Sequence, residues 1–294
     1  MKRTLLVIAL ISVALSSFAQ EKKMLTPMDA AYQNRSIYPV GKNVNWLTDT
    51  DKYVFTENGS LMIQGANAKS SSVLLTLDQV NSYLNAAGMD SITRLPNLTW
   101  LDADKAYYYS YNKNTNNVDL NLLDIKAKTI KKVTEVPANA ENHTVTVPSL
   151  KVAYTIDNNL YYADGERQVQ VTDNAEHVIA GQSVHRNEFA INGGIFWSPD
   201  GSRLAYYSMD ESMVSDYPLV DITTRVAEAK PIKYPMAGMT SHEVTLKVYN
   251  TENGEETVVK TEGPADQYLT SITWNPDNEK IYIGVLNRGH HIKN

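Results

Sequence analysis

The sequence contains no cysteine, so neither a disulfide nor a lipidated cysteine is available to it, and stability has to come from a packed core. Beyond residues 5–15 no apolar run approaches the roughly 20 residues that a membrane-spanning helix needs. Clustered basic charge is equally scarce. Its one dense group, from Lys126 to Lys132, sits between strand-like runs and reads as a solvated strand face or loop, so nucleic acid is not expected as a partner. Catalytic and cofactor signatures are missing too. There is no Gly-x-Ser-x-Gly nucleophile elbow; Gly181-Gln182-Ser183-Val184-His185 comes nearest and fails at its last position. His242-Glu243 lacks the second histidine of a zinc motif and reads as the start of a strand, and His290-His291 reads as an exposed polar end. No Walker loop, calcium loop or dinucleotide fingerprint is present, so no metal, no cofactor and no catalytic residue is assigned.

What is present begins with a leader. Met1-Lys2-Arg3, the apolar run 5–15 and Ser17-Phe18-Ala19 form the three parts of a secretory signal peptide, with cleavage expected after Ala19 and export to a bacterial periplasm or medium. Removing residues 1–19 leaves 25 basic against 33 acidic side chains, a second argument against a phosphate-backbone partner. Residues 20–45 mix Pro27, Pro39 and Gly41 with scattered apolar positions and read as a lead-in segment with one short helix near residues 29–32.

From residue 46 onward the chain repeats. All four tryptophans open the same cassette, a turn-forming tetrad followed by a short aromatic or β-branched run: Trp46-Leu47-Thr48-Asp49, Trp100-Leu101-Asp102-Ala103, Trp197-Ser198-Pro199-Asp200 and Trp274-Asn275-Pro276-Asp277. A weaker copy starts at Val147. The starts are separated by 54, 47, 50 and 77 residues, the size of a four-stranded propeller blade with insertions. The expected fold is therefore all-β, a partial β-propeller over residues 46–294 with about five blade starts. The fifth delivers only one strand, 280–286, after its tryptophan, which implies a sequence that continues beyond Asn294. A strand at 73–77 leading into a helix over 78–89, a single strand over 144–156 and a long Asp-, Pro- and Met-rich excursion over 209–241 complete the reading.

Between residues 173 and 195 the strand rhythm breaks, and insertions into a rigid β scaffold are where binding residues concentrate. This one contains His177, His185, Arg186, Asn187 and Glu188, followed by Gly193-Gly194, which reads as a tight approach to the next strand. Glu188 completes no capping box, and a carboxylate held in a partly dehydrated pocket attracts an ammonium group far more strongly than one in water. Asp210-Glu211 reads as a solvated turn.

The strings Ser183-Val184-His185-Arg186-Asn187-Glu188-Phe189, Phe196-Trp197-Ser198-Pro199, Tyr207-Ser208-Met209-Asp210-Glu211-Ser212-Met213-Val214 and Tyr234-Pro235-Met236-Ala237-Gly238, in that order, resemble the dipeptidyl peptidase IV branch of the prolyl oligopeptidase clan, most of all the bacterial prolyl tripeptidyl aminopeptidases. The resemblance is specific over about residues 180–290. It implies an N-terminal propeller that gates a C-terminal α/β-hydrolase domain carrying a Ser, Asp, His triad, a domain absent from this sequence. It further implies a serine exopeptidase that releases proline-ended di- or tripeptides, and a tendency to homodimerise. Glu188 matches the family's glutamate that grips the free amino terminus of a peptide substrate, with Arg186 and Asn187 beside it as lesser contacts. Where the mammalian enzymes carry two adjacent glutamates, this chain has Asn187-Glu188. The loop corresponding to the family's propeller arginine, 112–117, offers only Lys113, so that role is not assigned. The alternative reading is a non-catalytic periplasmic propeller that binds proteins.

Overall fold

The computed structural model describes residues 26–32, 42–147 and 149–289. The proposed signal peptide, most of the lead-in segment and His290-His291 lie outside the described residues. The chain divides into two units, residues 1–44 and 45–294. In the first, a single turn of helix α1 (Pro27–Ala31) forms where expected. Proline sits in the first turn, and Thr26 and Asp29 close a capping box in which each side chain accepts the other's backbone N–H at 3.1 Å.

The second unit is all-β apart from one helix and a short 3-10 turn, and is built from successive antiparallel sheets. The first sheet runs β1 (Asn45–Trp46), β2 (Lys52–Glu57), β3 (Ser60–Gly65), β4 (Ser72–Leu75) in spatial order. Helix α2 (Leu77–Ala86) follows, opened by a Thr76–Gln79 capping box and ended before Gly88, and it buries Val80 and Leu84. The second sheet repeats the order with β5 (Thr99–Trp100), β6 (Lys105–Asn112), β7 (Asn117–Asp124) and β8 (Thr129–Val136). The third does so with β9 (Glu141–Val145), β10 (Val152–Ile156), β11 (Asn159–Asp164) and β12 (Arg167–Gln170). The single strand expected over 144–156 is thus two strands. The corner at Leu150, which adopts φ 57°, separates them.

The fourth sheet contains β13 (Val178–Ala180), β14 (Ile195–Trp197), β15 (Arg203–Asp210), β18 (Glu243–Asn250) and β19 (Glu256–Val258). Part of the stretch read as an insertion is therefore a strand. Between β15 and β18 the chain forms a separate hairpin of β16 (Asp216–Asp221) and β17 (Glu228–Lys233), so the Asp-, Pro- and Met-rich excursion is ordered by pairing. The last described sheet pairs β20 (Tyr268–Trp274) with β21 (Ile281–Leu286).

One corner recurs in each of these sheets except the β16–β17 hairpin. The residue after each tryptophan, or its equivalent, donates its N–H to the carbonyl that opens the next strand: Leu47 to Lys52, Leu101 to Lys105, Thr146 to Lys151, Ser198 to Arg203 and Asn275 to Lys280, at 2.9–3.0 Å. This bond corrects the register of the weak copy, placing Val145 and not Val147 where the tryptophans stand. The indoles then tie neighbouring sheets. Trp197 Nε1 donates to Thr144 O, and Trp274 Nε1 to the equivalent Phe196 O one sheet later, each at 3.0 Å. In the Trp197 cassette the expected turn is closed by Gly201 N–H donating to Ser198 O at 2.9 Å, with Asp200 accepting from both Ser198 and Ser202.

The core lies between consecutive sheets. Val54 and Leu75 meet Tyr108 and Leu123; Leu120 and Val136 meet Val152 and Tyr154; Leu160 and Tyr162 meet Leu204 and Tyr206; Tyr207 and Leu246 meet Leu269. Each fully buried leucine or valine contributes about 1.5–3 kcal/mol by leaving water. This face-to-face succession of mostly four-stranded sheets is propeller-like. Among the described residues no helix is long and apolar enough to cross a membrane.

Candidate functional site

The insertion is anchored at one point of one strand. β13 pairs with Ser208, Met209 and Asp210 of β15, and β14 pairs with Leu204, Ala205 and Tyr206, so the two short strands lie end to end along the same edge. Tyr207, between those pairs, bonds both ends of the break: it accepts from Gly181 N–H at 2.9 Å and donates to Gly194 O at 3.0 Å. Residues 182–193 therefore leave a strand and re-enter it at the same register. At this neck a Cβ on Gly194 would stand 2.1 Å from Gln182 O and 2.6 Å from the carbonyl carbon of Gly181, so only glycine closes it. The open position is Gly193, where a Cβ meets nothing within 4 Å.

Inside the loop, Val184 and Ile191 are buried in the core between the fourth and last sheets, and they pin its two sides. Ser183 Oγ bonds across it to Asn187 Oδ1 and to Ile191 O, the latter at 3.0 Å. The tip is left-handed: His185, Arg186 and Asn187 have φ of 51°, 54° and 61°, and Phe189 and Ala190 follow at 52° and 62°. Each such residue costs about 1–2 kcal/mol without glycine, and a run of them persists only where surrounding contacts over-determine it. Those contacts are present. Thr270 Oγ1 donates to Phe189 O at 2.6 Å, the Phe189 ring meets Tyr268 edge-on at 4.7 Å, and the Arg186 guanidinium lies 4.0 Å over the Tyr234 ring.

Glu188 is the one residue between these positive-φ positions that is itself extended, at φ −74° and ψ 160°. Its backbone is used twice, N–H donating to His185 O and carbonyl accepting from Ile191 N–H, each at 3.1 Å, while the residue remains exposed. The partly dehydrated pocket expected around it is not formed by the described residues. Of its two companions, Arg186 is committed to Tyr234, and Asn187 holds the loop together through Ser183.

Two further groups escaped the sequence reading. Glu211, expected on a solvated turn, is half-buried. Burial raises its carboxyl pKa despite the opposing charges of His177, Lys233 and Arg186, while its backbone N–H donates to His177 O at 3.0 Å. Beneath the tip, His185 and His242 are buried against each other with 2.8 Å between Nδ1 and Nε2. No group of three or more potential metal ligands occurs among the described residues.

A family model described as Dipeptidyl peptidase IV (DPP IV) N-terminal region matches residues 94–293. The chain belongs to this family. Among relatives, a protein of Phaeosphaeria nodorum named probable dipeptidyl-aminopeptidase B is 30% identical over 52% of this chain and 20% of its own length. The inactive dipeptidyl peptidase 10 of Rattus norvegicus is 25% identical over 84% of this chain and 32% of its own. Among solved structures, a protein of Bacteroides ovatus provisionally named dipeptidyl aminopeptidase IV superposes with a TM-score of 0.72 at 35% identity, over 84% of this chain and 34% of that one. Porphyromonas gingivalis dipeptidyl peptidase 4 shares the fold, with a TM-score of 0.67 at 20% identity over 91% of this chain and 39% of that one. The chain thus spans well under half the length of these family members. Both the tip and its neck, residues 181–194, fall within the DPP IV match.

Proposed function

We propose that this chain is the substrate-gating, amino-terminus-recognising propeller portion of an exported serine exopeptidase that releases proline-ended di- or tripeptides. The observation that carries the reading is Glu188. In a chain of the DPP IV N-terminal family, an exposed carboxylate follows three consecutive left-handed residues on a loop whose neck, sides and tip are each separately fixed. A backbone held so far from its preferred conformations is a positioning device, and the group positioned is a carboxylate, the acceptor suited to a peptide ammonium. In this reading the successive sheets are propeller blades over residues 46–294, about five of them begun here, residues 1–19 direct export, and catalysis belongs to a hydrolase domain outside this sequence. The direct test is the downstream reading frame, where a Gly-x-Ser-x-Gly elbow followed by Asp and His is expected. Purified residues 20–294 should correspondingly leave proline-containing chromogenic peptides intact; turnover abolished by a serine-directed covalent inhibitor would overturn the assignment.

The similarity to a relative named inactive over 84% of this chain supports a second reading, a propeller that binds proteins without cleaving them. A stop directly after Asn294 in the genomic sequence would favour it.

Self-association is part of the proposal, and the β16–β17 hairpin is the surface suited to it. Leu219, Val220, Ile222 and Val226 on this arm are 44–81% exposed, and a two-stranded hairpin, marginal by itself, gains stability when such apolar side chains are covered. Val220→Asp together with Leu219→Asp should convert a dimer to a monomer in sedimentation analysis at micromolar concentration. A wild-type chain that stays monomeric to 100 μM or so, well above the Kd range of stable interfaces, counts against the arm.

A further inference from the structure

We infer that His185 and His242 are positioning residues for Glu188: the neutral imidazole pair, seated on Tyr268, holds the left-handed tip in place, and proton uptake by the pair releases it. This inference rests on the reading of Glu188 given above, but its structural half stands apart from that reading. The tip begins at His185, the first left-handed residue, and that side chain is 4% exposed beneath it. His242, 7% exposed, precedes β18 and meets it at 2.8 Å. Tyr268 of β20 then touches both ends of the tip, with its ring centroid 4.5 Å from that of His185 and 4.7 Å from that of Phe189. Glu188 is thus suspended between two side chains that share one aromatic support. Arg288 locks that support, its guanidinium 4.7 Å above the Tyr268 ring and its Nη1 donating to the phenol oxygen at 2.7 Å.

The hydrogen-bond arithmetic of the pair defines its protonation. A direct N···N bond needs one donor and one acceptor, and His185 Nε2 is buried with no partner. The arrangement that leaves no buried N–H unpaired has His185 donating from Nδ1 to Nε2 of His242, which carries its own proton on Nδ1. A second proton on both rings would set two donors against each other at 2.8 Å. The charged groups around the pair reinforce its neutrality. Arg186 comes from the tip and Arg288 from beyond β21; Asp266, ahead of β20, is drawn to Arg288 at 3.6 Å, and Glu243 beside His242 is exposed. Burial, followed by the charge of His242 and Arg288, depresses the His185 pKa to about 3; burial, then Arg288 and Arg186, depress that of His242 to about 4. The unfolded or released tip takes up protons near 6.5, so the clasp is intact above that value and is progressively opposed as pH falls toward 4.

The test uses the whole chain. Long-range imidazole ¹⁵N–¹H spectra should show both rings neutral from pH 7.5 to 5.5, with the proton of His185 on Nδ1. Between pH 7 and 5 the protection factors of the amides at residues 186–190, taken against the intrinsic exchange rate at each pH, should fall at least tenfold more than those of the β6–β7 core. His242→Phe keeps the packing and removes the acceptor; it should lower protection at 186–190 about tenfold at pH 7 and reduce the extra acid sensitivity to the share that buried His185 carries by itself. Glu188→Gln, the control for the parent reading, should leave exchange of the tip unchanged while weakening binding of an unblocked Ala-Ala-Pro peptide. Rings that titrate near 6.5 in the folded chain, or a His242→Phe tip exchanging within twofold of wild type, overturn the clasp whatever Glu188 binds. Should His242→Phe fail to fold, the wild-type titration decides by itself.

Discussion

Glu188→Gln, made in the intact peptidase proposed above, should lower kcat/KM for proline peptides with a free amino terminus by about 30- to 1,000-fold, the equivalent of roughly 2–4 kcal/mol. The substitution keeps the shape of the side chain and removes its charge, so a bound ammonium loses its charge-assisted partner in a site that substrate itself helps to dehydrate. The tip should not collapse, because its fixed points are the Glu188 backbone bonds to His185 and Ile191 and the Thr270 bond to Phe189, none of which uses the carboxylate. Peptides with a blocked amino terminus already lack the contact and should be cleaved at wild-type rates. Parallel loss on both substrates would indicate a folding defect, and free-amine activity within about threefold of wild type, some 0.65 kcal/mol, would make Glu188 an ordinary surface residue.

The second large effect is expected at the neck. Gly194→Ala places a methyl group 2.1 Å from Gln182 O, and the obstacle is backbone on both sides, so no rotamer change relieves it. Either β14 lifts from β15 or residues 181 and 182 withdraw, and both break the bonds that Tyr207 makes to Gly181 and Gly194. A cost of about 3 kcal/mol or more follows, roughly 6–12 °C in Tm for a unit of this size. Gly193→Ala should stay within about 0.5 kcal/mol, since a methyl group there meets open space. Thermal unfolding of the two variants beside wild type provides the measurement. A Gly194→Ala chain that melts within 2 °C of wild type, about 1 kcal/mol or less, would show that the neck opens freely and that the loop is not built as described.

The parts of this protein that were legible in its sequence are those whose cause lies within a few residues. The Trp-turn-strand cassette marks each sheet because the turn residues and the alternation act locally, and helix α2 starts and stops at Thr76 and Gly88 for the same reason. Gly193-Gly194 reads locally as a tight approach to the next strand; in space only Gly194 is tight, and what it approaches is the backbone of Gly181 and Gln182 across the neck. The weak third cassette was misplaced by two residues because nothing local distinguishes Val145 from Val147; the bond from Thr146 to Lys151 does so in space. The strand β13 went unread because three residues carry almost no periodicity, and it becomes a strand only by continuing the edge that β14 occupies on β15. Glu188 was visible as a residue and through its family pattern, but the left-handed backbone that presents it was not, since the modest enrichment of His and Asn at positive φ is a far weaker signal than glycine gives, and Arg gives none. That conformation is imposed from a distance: His242 stands 57 residues from His185, and Thr270 stands 81 from Phe189. Such pairs meet only once the fourth and last sheets have packed on Leu246 and Leu269, so composition and local pattern determined the repeating sheets, whereas the stacking of those sheets decided which buried histidines and which tyrosine would pack beneath the tip.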